Sequence, residues 1–279
     1  MSEVATPPDT DATGVRIAVV TGASSGIGEA TARLLATKGW RCVLVARRED
    51  RLRELSSGID GEVEVCDVAD REAVDAMAAR ILERHPAVHL LVNNAGMPAR
   101  GTFLAVDLDL VERVIGVNYL GGVWCTRALL PGLRWAAAGR GAHVVNVVSV
   151  AGTTAFAPAG AYSASKHAQL AFSRSLSAAL AGTGIAVHAV LPGFVETEGF
   201  PQKGVLKSRV LGRFVIQPPR VAEAIVGAVE KGKREVTVPW FPYRPVSIVQ
   251  AIAPGLIGRF AGMSDYRPGS VPEAPPASD

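Results

Sequence analysis

The chain has 279 residues, 48% of them hydrophobic, and a formal net charge of +3. That length fits one α/β domain with a large core, and the weak charge gives no support to a nucleic-acid footprint, which needs basic residues clustered on one face. No apolar stretch reaches the roughly 18 residues of a membrane span.

Residues 1–14 are polar, acidic and Pro-containing, without the charged and apolar regions of a signal peptide, and are expected to form a disordered tail. From residue 15 onward, β-branched apolar runs alternate with helix-period segments. Strands are predicted at 16–21, 41–46, 62–66, 90–93, 143–149, 185–191 and 235–238, and helices near 26–38, 71–84, 108–138, 161–181 and 220–231. Strands apolar on both faces and alternating with helices predict a Rossmann-like, doubly wound parallel sheet of about seven strands in a single domain. The catalytic domain is assigned to 15–263, and 264–279, rich in Pro, Ser and acid, is a second expected tail. Cys42, Cys66 and Cys125 lack metal-ligand spacing and read as buried free thiols in a reducing, cytoplasmic setting, with no metal site.

The first strand runs into Thr21-Gly22-Ala23-Ser24-Ser25-Gly26-Ile27-Gly28, ahead of the first helix. Gly22 suits a tight turn, and Gly26 and Gly28 let backbone approach a pyrophosphate at a helix N-terminus. The spacing is G-x-x-x-G-x-G rather than the commoner G-x-G-x-x-G. At the end of the second strand stand Arg47 and Arg48, ahead of Glu49 and Asp50. An acid here selects the ribose 2′-hydroxyl of NAD, whereas arginine accommodates a 2′-phosphate, so NADP(H) is favoured. The alternative is two solvated charges opening a helix.

Tyr162 and Lys166 lie four residues apart in a helical segment, thirteen positions after Ser149. Four helical residues turn through about 400° and rise roughly 6 Å, so phenol and ammonium share a face. A neighbouring cation stabilises phenolate, which predicts a lowered phenol pKa. Ser149, ending the fifth strand, would hold a substrate oxygen beside this acid/base.

Together these positions resemble the short-chain dehydrogenase/reductase family. The glycine turn matches its TGxxxGxG pattern, Asn93-Asn94-Ala95-Gly96 its NNAG motif, and Pro192-Gly193-Phe194-Val195-Glu196-Thr197 the segment bordering the nicotinamide. Ser149, Tyr162, Lys166 and Asn118 match its catalytic set. The resemblance implies cofactor contacts from Gly22, Ser24, Ser25, Gly26, Ile27, Gly28, Arg47, Arg48, Asp67, Val68, Asn94, Ala95, Gly96, Tyr162, Lys166, Pro192, Gly193, Val195 and Thr197. It also implies ketone/alcohol interconversion, with Lys166 binding the nicotinamide ribose and Asn118 holding a water that links Lys166 to solvent. A homodimer or homotetramer built on the two long helices is expected. The rival readings are a cofactor-binding sensor without turnover, and a dehydratase or epimerase using the same tyrosine/lysine pair.

Three segments bear on the substrate. Residues 150–161 carry no charge and include Phe156 and Pro158; with Met97, Pro98, Phe194 and Phe200 they predict a chamber for an apolar ketone or alcohol. Residues 198–217, with Lys203, Lys207, Arg209 and Arg213, are expected to form a lid. The apolar run 239–263 is expected to close the substrate pocket or pack at a subunit interface, with a peripheral membrane foot as the less favoured alternative.

Overall fold

A computed structural model describes residues 14–101, 105–155, 159–202 and 211–253. Seven parallel strands, β1 (Arg16–Thr21), β2 (Trp40–Ala46), β3 (Glu62–Val65), β4 (Leu90–Asn93), β5 (Ala142–Val147), β6 (Ile185–Pro192) and β7 (Glu235–Val238), form one sheet in the order β3-β2-β1-β4-β5-β6-β7. This is the expected Rossmann-like single domain. The helices are α1 (Gly26–Thr37), α2 (Glu49–Ile59), α3 (Arg71–Arg84), α4 (Leu108–Ile115), α5 (Gly121–Ala128), α6 (Leu130–Ala137), α7 (Gly160–Ala179), α8 (Pro218–Glu230) and α9 (Tyr243–Ile252).

Alternation along the central strands builds two cores. Ile17, Val19 and Leu91 pack with Met77 and Ile81 of α3 and Leu129 and Leu133 on one face. Ala18, Val20, Leu90 and Val92 pack with Leu35 of α1 and Val221 and Ile225 of α8 on the other. Both faces being covered explains why these strands read as unbroken apolar runs. Burying each large aliphatic side chain contributes on the order of 2 kcal/mol, so truncating Leu91 would open a cavity between sheet and helices. The chain winds outward from β1 to β3 and then returns to place β4 on the other side of β1. That reversal opens a crevice at the carboxyl ends of β1 and β4, where ligands bind in such sheets.

Two expectations are corrected. Segment 108–138 is not one helix: a π-turn, Gly116–Leu120, joins α4 to α5, and α6 restarts with a proline in its first turn. Gly121 explains the approach at this point, because a Cβ there would lie 2.8 Å from Val68 Cγ2 and 2.9 Å from Val68 O. Helix α2 was not anticipated because only Leu52 and Leu55 of it are buried, Ile59 is partly buried at its end, and the remainder is charged or small. Phe156 and Pro158, and 203–210 of the expected lid, lie outside the described residues; of the remainder, Leu211–Phe214 forms a 3-10 turn.

Cys42, Cys66 and Cys125 are buried and free, and burial raises their thiols to about 12, 11 and 12 respectively. Among the described residues no cluster suits a metal ion, and no helix is long and apolar enough to cross a membrane.

Candidate active site

The glycine turn is locked from beneath by the segment after β4. Thr21 Oγ1 accepts from the backbone N–H of Asn94 and of Ala95, each at 3.0 Å. Asn94 Nδ2 donates to Thr21 O at 2.9 Å and Gly22 O at 3.3 Å. Side chains at the glycines would break this arrangement. Gly22, at φ +66°, would place a Cβ 2.8 Å from Ala95 Cα, and Gly28 one 2.3 Å from Gly22 O. Ser25 stands at the N-cap of α1 in extended conformation without capping through its side chain. The first N–H groups of α1 therefore face the crevice, a donor set suited to a pyrophosphate. Ile27, partly buried, packs against the core beneath the turn.

Arg47 and Arg48 follow β2 on the same side. Arg48 reaches back to the glycine turn, donating to Ser25 Oγ at 2.7 Å and Ser24 Oγ at 3.1 Å, and pairs with Glu198 Oε1 at 3.1 Å. Arg47 lies 3.5 Å from Asp67 Oδ2, and Asp67 Oδ1 accepts from Ala69 N. The Arg48 guanidinium thus borders the glycine turn, while that of Arg47 pairs with the carboxylate of Asp67. Arg48 also occupies the N-cap of α2, so it opens a helix as well. Thr197 closes the far side: its Cγ2 would lie 3.0 Å from a Cβ on Gly26. Val195 is core, paired by a bridge to Ile216.

The second half of the site gathers around α7. Lys166, 4% exposed, donates to Val147 O at 3.0 Å and Gln169 Oε1 at 2.8 Å. Its Nζ stands 5.9 Å from the centre of the Tyr162 ring one turn earlier. Ser149 Oγ accepts from Ala151 N at 3.1 Å and lies 3.5 Å from Pro192 O. Asn118, inside the π-turn, accepts from Met97 N at 2.8 Å and donates to Met97 O at 3.1 Å and Ser165 Oγ at 3.0 Å. Its side chain is therefore fully engaged in joining the loop after β4 to α7. Gly96 sits between: a Cβ there would be 3.4 Å from Asn118 Oδ1 and 3.8 Å from Lys166 Nζ. A π-turn within an α-helix commonly marks a functional position, because the extra residue re-aims a side chain.

The electrostatics differ from the sequence expectation. Burial pushes the Tyr162 phenol up to about 12, with a hydrogen bond to Ser149 acting in the opposite direction. Burial likewise pulls Lys166 down to about 7. The lysine does not depress the phenol as predicted, because both groups lose more hydration than they regain from each other, and the ammonium donates elsewhere.

Three supporting residues were not expected from the sequence. Gln169, one turn beyond Lys166, supplies its carbonyl oxygen to the ammonium. Tyr243 of α9 accepts from Phe194 N at 3.2 Å and donates to Phe214 O at 3.4 Å, with its ring over Gly193. In the same helix Ser247 lies 2.7 Å from Thr153 Oγ1, beside the Ser149 loop. The i, i+3 spacing from Lys166 to Gln169 was visible; nothing in the sequence tied residue 243 to residue 193.

The family profile described as "short chain dehydrogenase" matches residues 16–204. A protein from Streptomyces coelicolor named "Putative ketoacyl reductase" is 36% identical over 246 residues, covering 79% of this chain and 92% of the relative. The mouse "Dehydrogenase/reductase SDR family member 7B" is 33% identical over 261 residues, covering 87% and 79%. Among solved structures, an actinorhodin polyketide ketoreductase variant with NADPH superposes with a TM-score of 0.72 at 32% identity, covering 80% of this chain and 95% of that one. A Burkholderia phymatum short-chain dehydrogenase/reductase in complex with NAD gives 0.76 at 27% identity, covering 87% and 95%. With the glycine turn, the Asn94 lock and the Ser149, Tyr162 and Lys166 cluster at the carboxyl edge of one parallel sheet, the chain belongs to the short-chain dehydrogenase/reductase family.

Proposed function

We propose that the protein is an NADP(H)-dependent ketoreductase acting on an apolar ketone or the corresponding secondary alcohol. The observation that carries this reading is the convergence of Ser149, Tyr162 and buried Lys166 at the same sheet edge as the glycine turn. A bound nicotinamide cofactor supplies the hydride in reduction and accepts it in oxidation. Gly22, Ser24, Ser25, Gly26 and Gly28 would hold its pyrophosphate, and Arg47 and Arg48 its 2′-phosphate. Asp67 and Val68 would border the adenine, and Asn94 to Gly96 with Pro192, Gly193 and Thr197 the nicotinamide side. The name of the NADPH-bound neighbour supports this choice, while the NAD-bound neighbour keeps it within the proposal.

Ser149 orients the carbonyl oxygen through its hydroxyl, and Tyr162 transfers its phenolic proton to that oxygen as it gains charge. Lys166 faces the resulting phenolate and returns a proton toward it. Asn118 is a positioning residue that fixes Met97 against α7. A neutral phenol is the form needed for reduction, and burial favours it. Phe200, with its ring centre 5.5 Å from that of Tyr162, and Phe194 supply apolar walls. The ketoacyl-reductase names of the relatives fit a keto group on an acyl chain.

Tyr162→Phe tests the assignment. Turnover of a ketone panel, followed by NADPH absorbance, should fall roughly 10²–10⁴-fold while NADPH still binds. Substantial retained turnover would remove Tyr162 from the reaction.

A further inference from the structure

Helix α9 has its polarity reversed. Tyr243, Ser247 and Gln250, spaced i, i+4, i+7, turn inward, where they bond to Phe194, Phe214 and Thr153 or are buried. Ile248, Val249 and Ile252 turn outward with relative exposures of 47%, 40% and 79%. The turn before the helix adds Trp240 and Phe241, both more than half exposed. Among the described residues, large hydrophobics this exposed occur elsewhere only singly, at Val65, Leu108 and Trp135. An ordinary surface helix buries its apolar stripe, so this contiguous patch lacks the covering that its composition demands.

We propose that this face docks on a lipid surface, with anionic headgroups as the favoured partner. Charge argues for lipid over a second copy of the chain. Residues 236–264 contain no Asp or Glu, and their only charged residues are Arg244, which lies 3.9 Å from Glu235 Oε2, and Arg259. The sequence beyond α9 stays apolar, with Leu256, Ile257 and Phe260 around Arg259. Aromatic residues at the edge, aliphatic residues along one face and a net excess of arginine within the segment form the composition of a helix lying in a bilayer interface. A ten-residue helix spans only about 15 Å, half a hydrocarbon core, so it lies on the membrane and does not cross it. The patch also adjoins the candidate active site: Phe241 lies 6.2 Å from Phe214, and Tyr243 from the same helix supports Gly193 and Phe194. Docking here would present the carboxyl edge of the sheet to apolar molecules held in the bilayer. The membrane contact itself does not rest on the reductase reading.

Flotation of the full chain with phosphatidylcholine vesicles, with and without phosphatidylglycerol, tests the inference, beside Ile248→Glu/Ile252→Glu and Trp240→Ala/Phe241→Ser. Wild type should float, more strongly with the anionic lipid, and each double variant should lose roughly tenfold or more of its partitioning. Circular dichroism and ketone turnover of Ile248→Glu/Ile252→Glu in detergent-free buffer should stay at wild-type values, because both side chains lie on the outward face of α9. A wild type that never floats, or variants that float equally well, would overturn the proposal. So would a wild type that stays off both vesicles while the variants alone shift from oligomer to monomer in sedimentation velocity, which would assign the face to a second copy.

Discussion

Gly193→Ala offers a sharp probe of how α9 supports the candidate site. A Cβ on Gly193 would stand 2.1 Å from Tyr243 Cε2, 2.4 Å from Cζ and 2.8 Å from Cδ2, so the ring has to leave. Leaving breaks the bond from Phe194 N and the bond to Phe214 O, and it disturbs the edge-on contact of Phe194 with Tyr243. Two net hydrogen bonds at about 1 kcal/mol each, with repacking, give a destabilisation of about 1–3 kcal/mol. For a domain of this size each kcal/mol lowers Tm by about 2–4 °C. Differential scanning calorimetry of Gly193→Ala, Tyr243→Ala and the double variant closes a thermodynamic cycle. Once the ring is removed, the added methyl meets open space, so the double variant should resemble Tyr243→Ala alone, with a coupling of about 1 kcal/mol or more. Tyr243→Phe, which keeps the ring and loses the hydroxyl, should separate the clash from the hydrogen bonds. Additive single effects would show that Gly193 and Tyr243 do not share this contact and would refute the support assigned to α9.

Replacing Arg47 and Arg48 by Ala should weaken NADPH roughly tenfold or more while leaving NADH nearly unchanged, measured as KM for each cofactor; equal losses would return both arginines to the role of solvated charges. Acid sensitivity should come partly from the His143–His188 pair, where burial, His188 and Arg16 hold His143 down at about 4 against an ordinary value near 6.5. Between those values the unfolded chain binds the extra proton, so stability falls as pH drops from about 6.5 toward 4. Melting curves of His143→Asn should show a shallower decline above pH ~4.5, before most carboxylates titrate; an unchanged slope would dismiss the pair as its source.

Much of the fold was legible because the sheet is buried on both faces. Segments such as Ile17-Ala18-Val19-Val20 and Val144-Val145 carry no polar position that another element type would require. Boundaries moved by a residue or two where the ladder, rather than hydrophobicity, set the end, as at Trp40 and Pro192, which pair with Arg16 and Val238. The breaks in segment 108–138 were hidden because apolar periodicity continues across them. They follow from backbone contacts of Gly121 with Val68 and from Pro131, and only the proline announces itself locally. Helix α9 shows the opposite failure: its inward residues are the polar ones, so periodicity alone assigns its faces the wrong way round.

For the candidate site, the grouping of side chains was legible and protonation was not. Spacing brings Tyr162 and Lys166 to one side of α7, but their charge states depend on long-range surroundings that no local pattern contains. Lys166 is closed in by Val147 O and Gln169 Oε1, and Gly152 leaves no room for a Cβ beside the Lys166 carbonyl. Water is thereby kept from the ammonium, which falls to about 7, while the partly buried phenol rises to about 12. Each shift favours the neutral form of its group. In the proposed reduction, a proton leaving Tyr162 would create an anion one helical turn from that lysine, and the pair would then gain an attraction that its resting state lacks. On that proposal the favourable charge interaction inferred from spacing belongs to the proton transfer, where stabilisation of the developing phenolate would lower the barrier instead of the ground state.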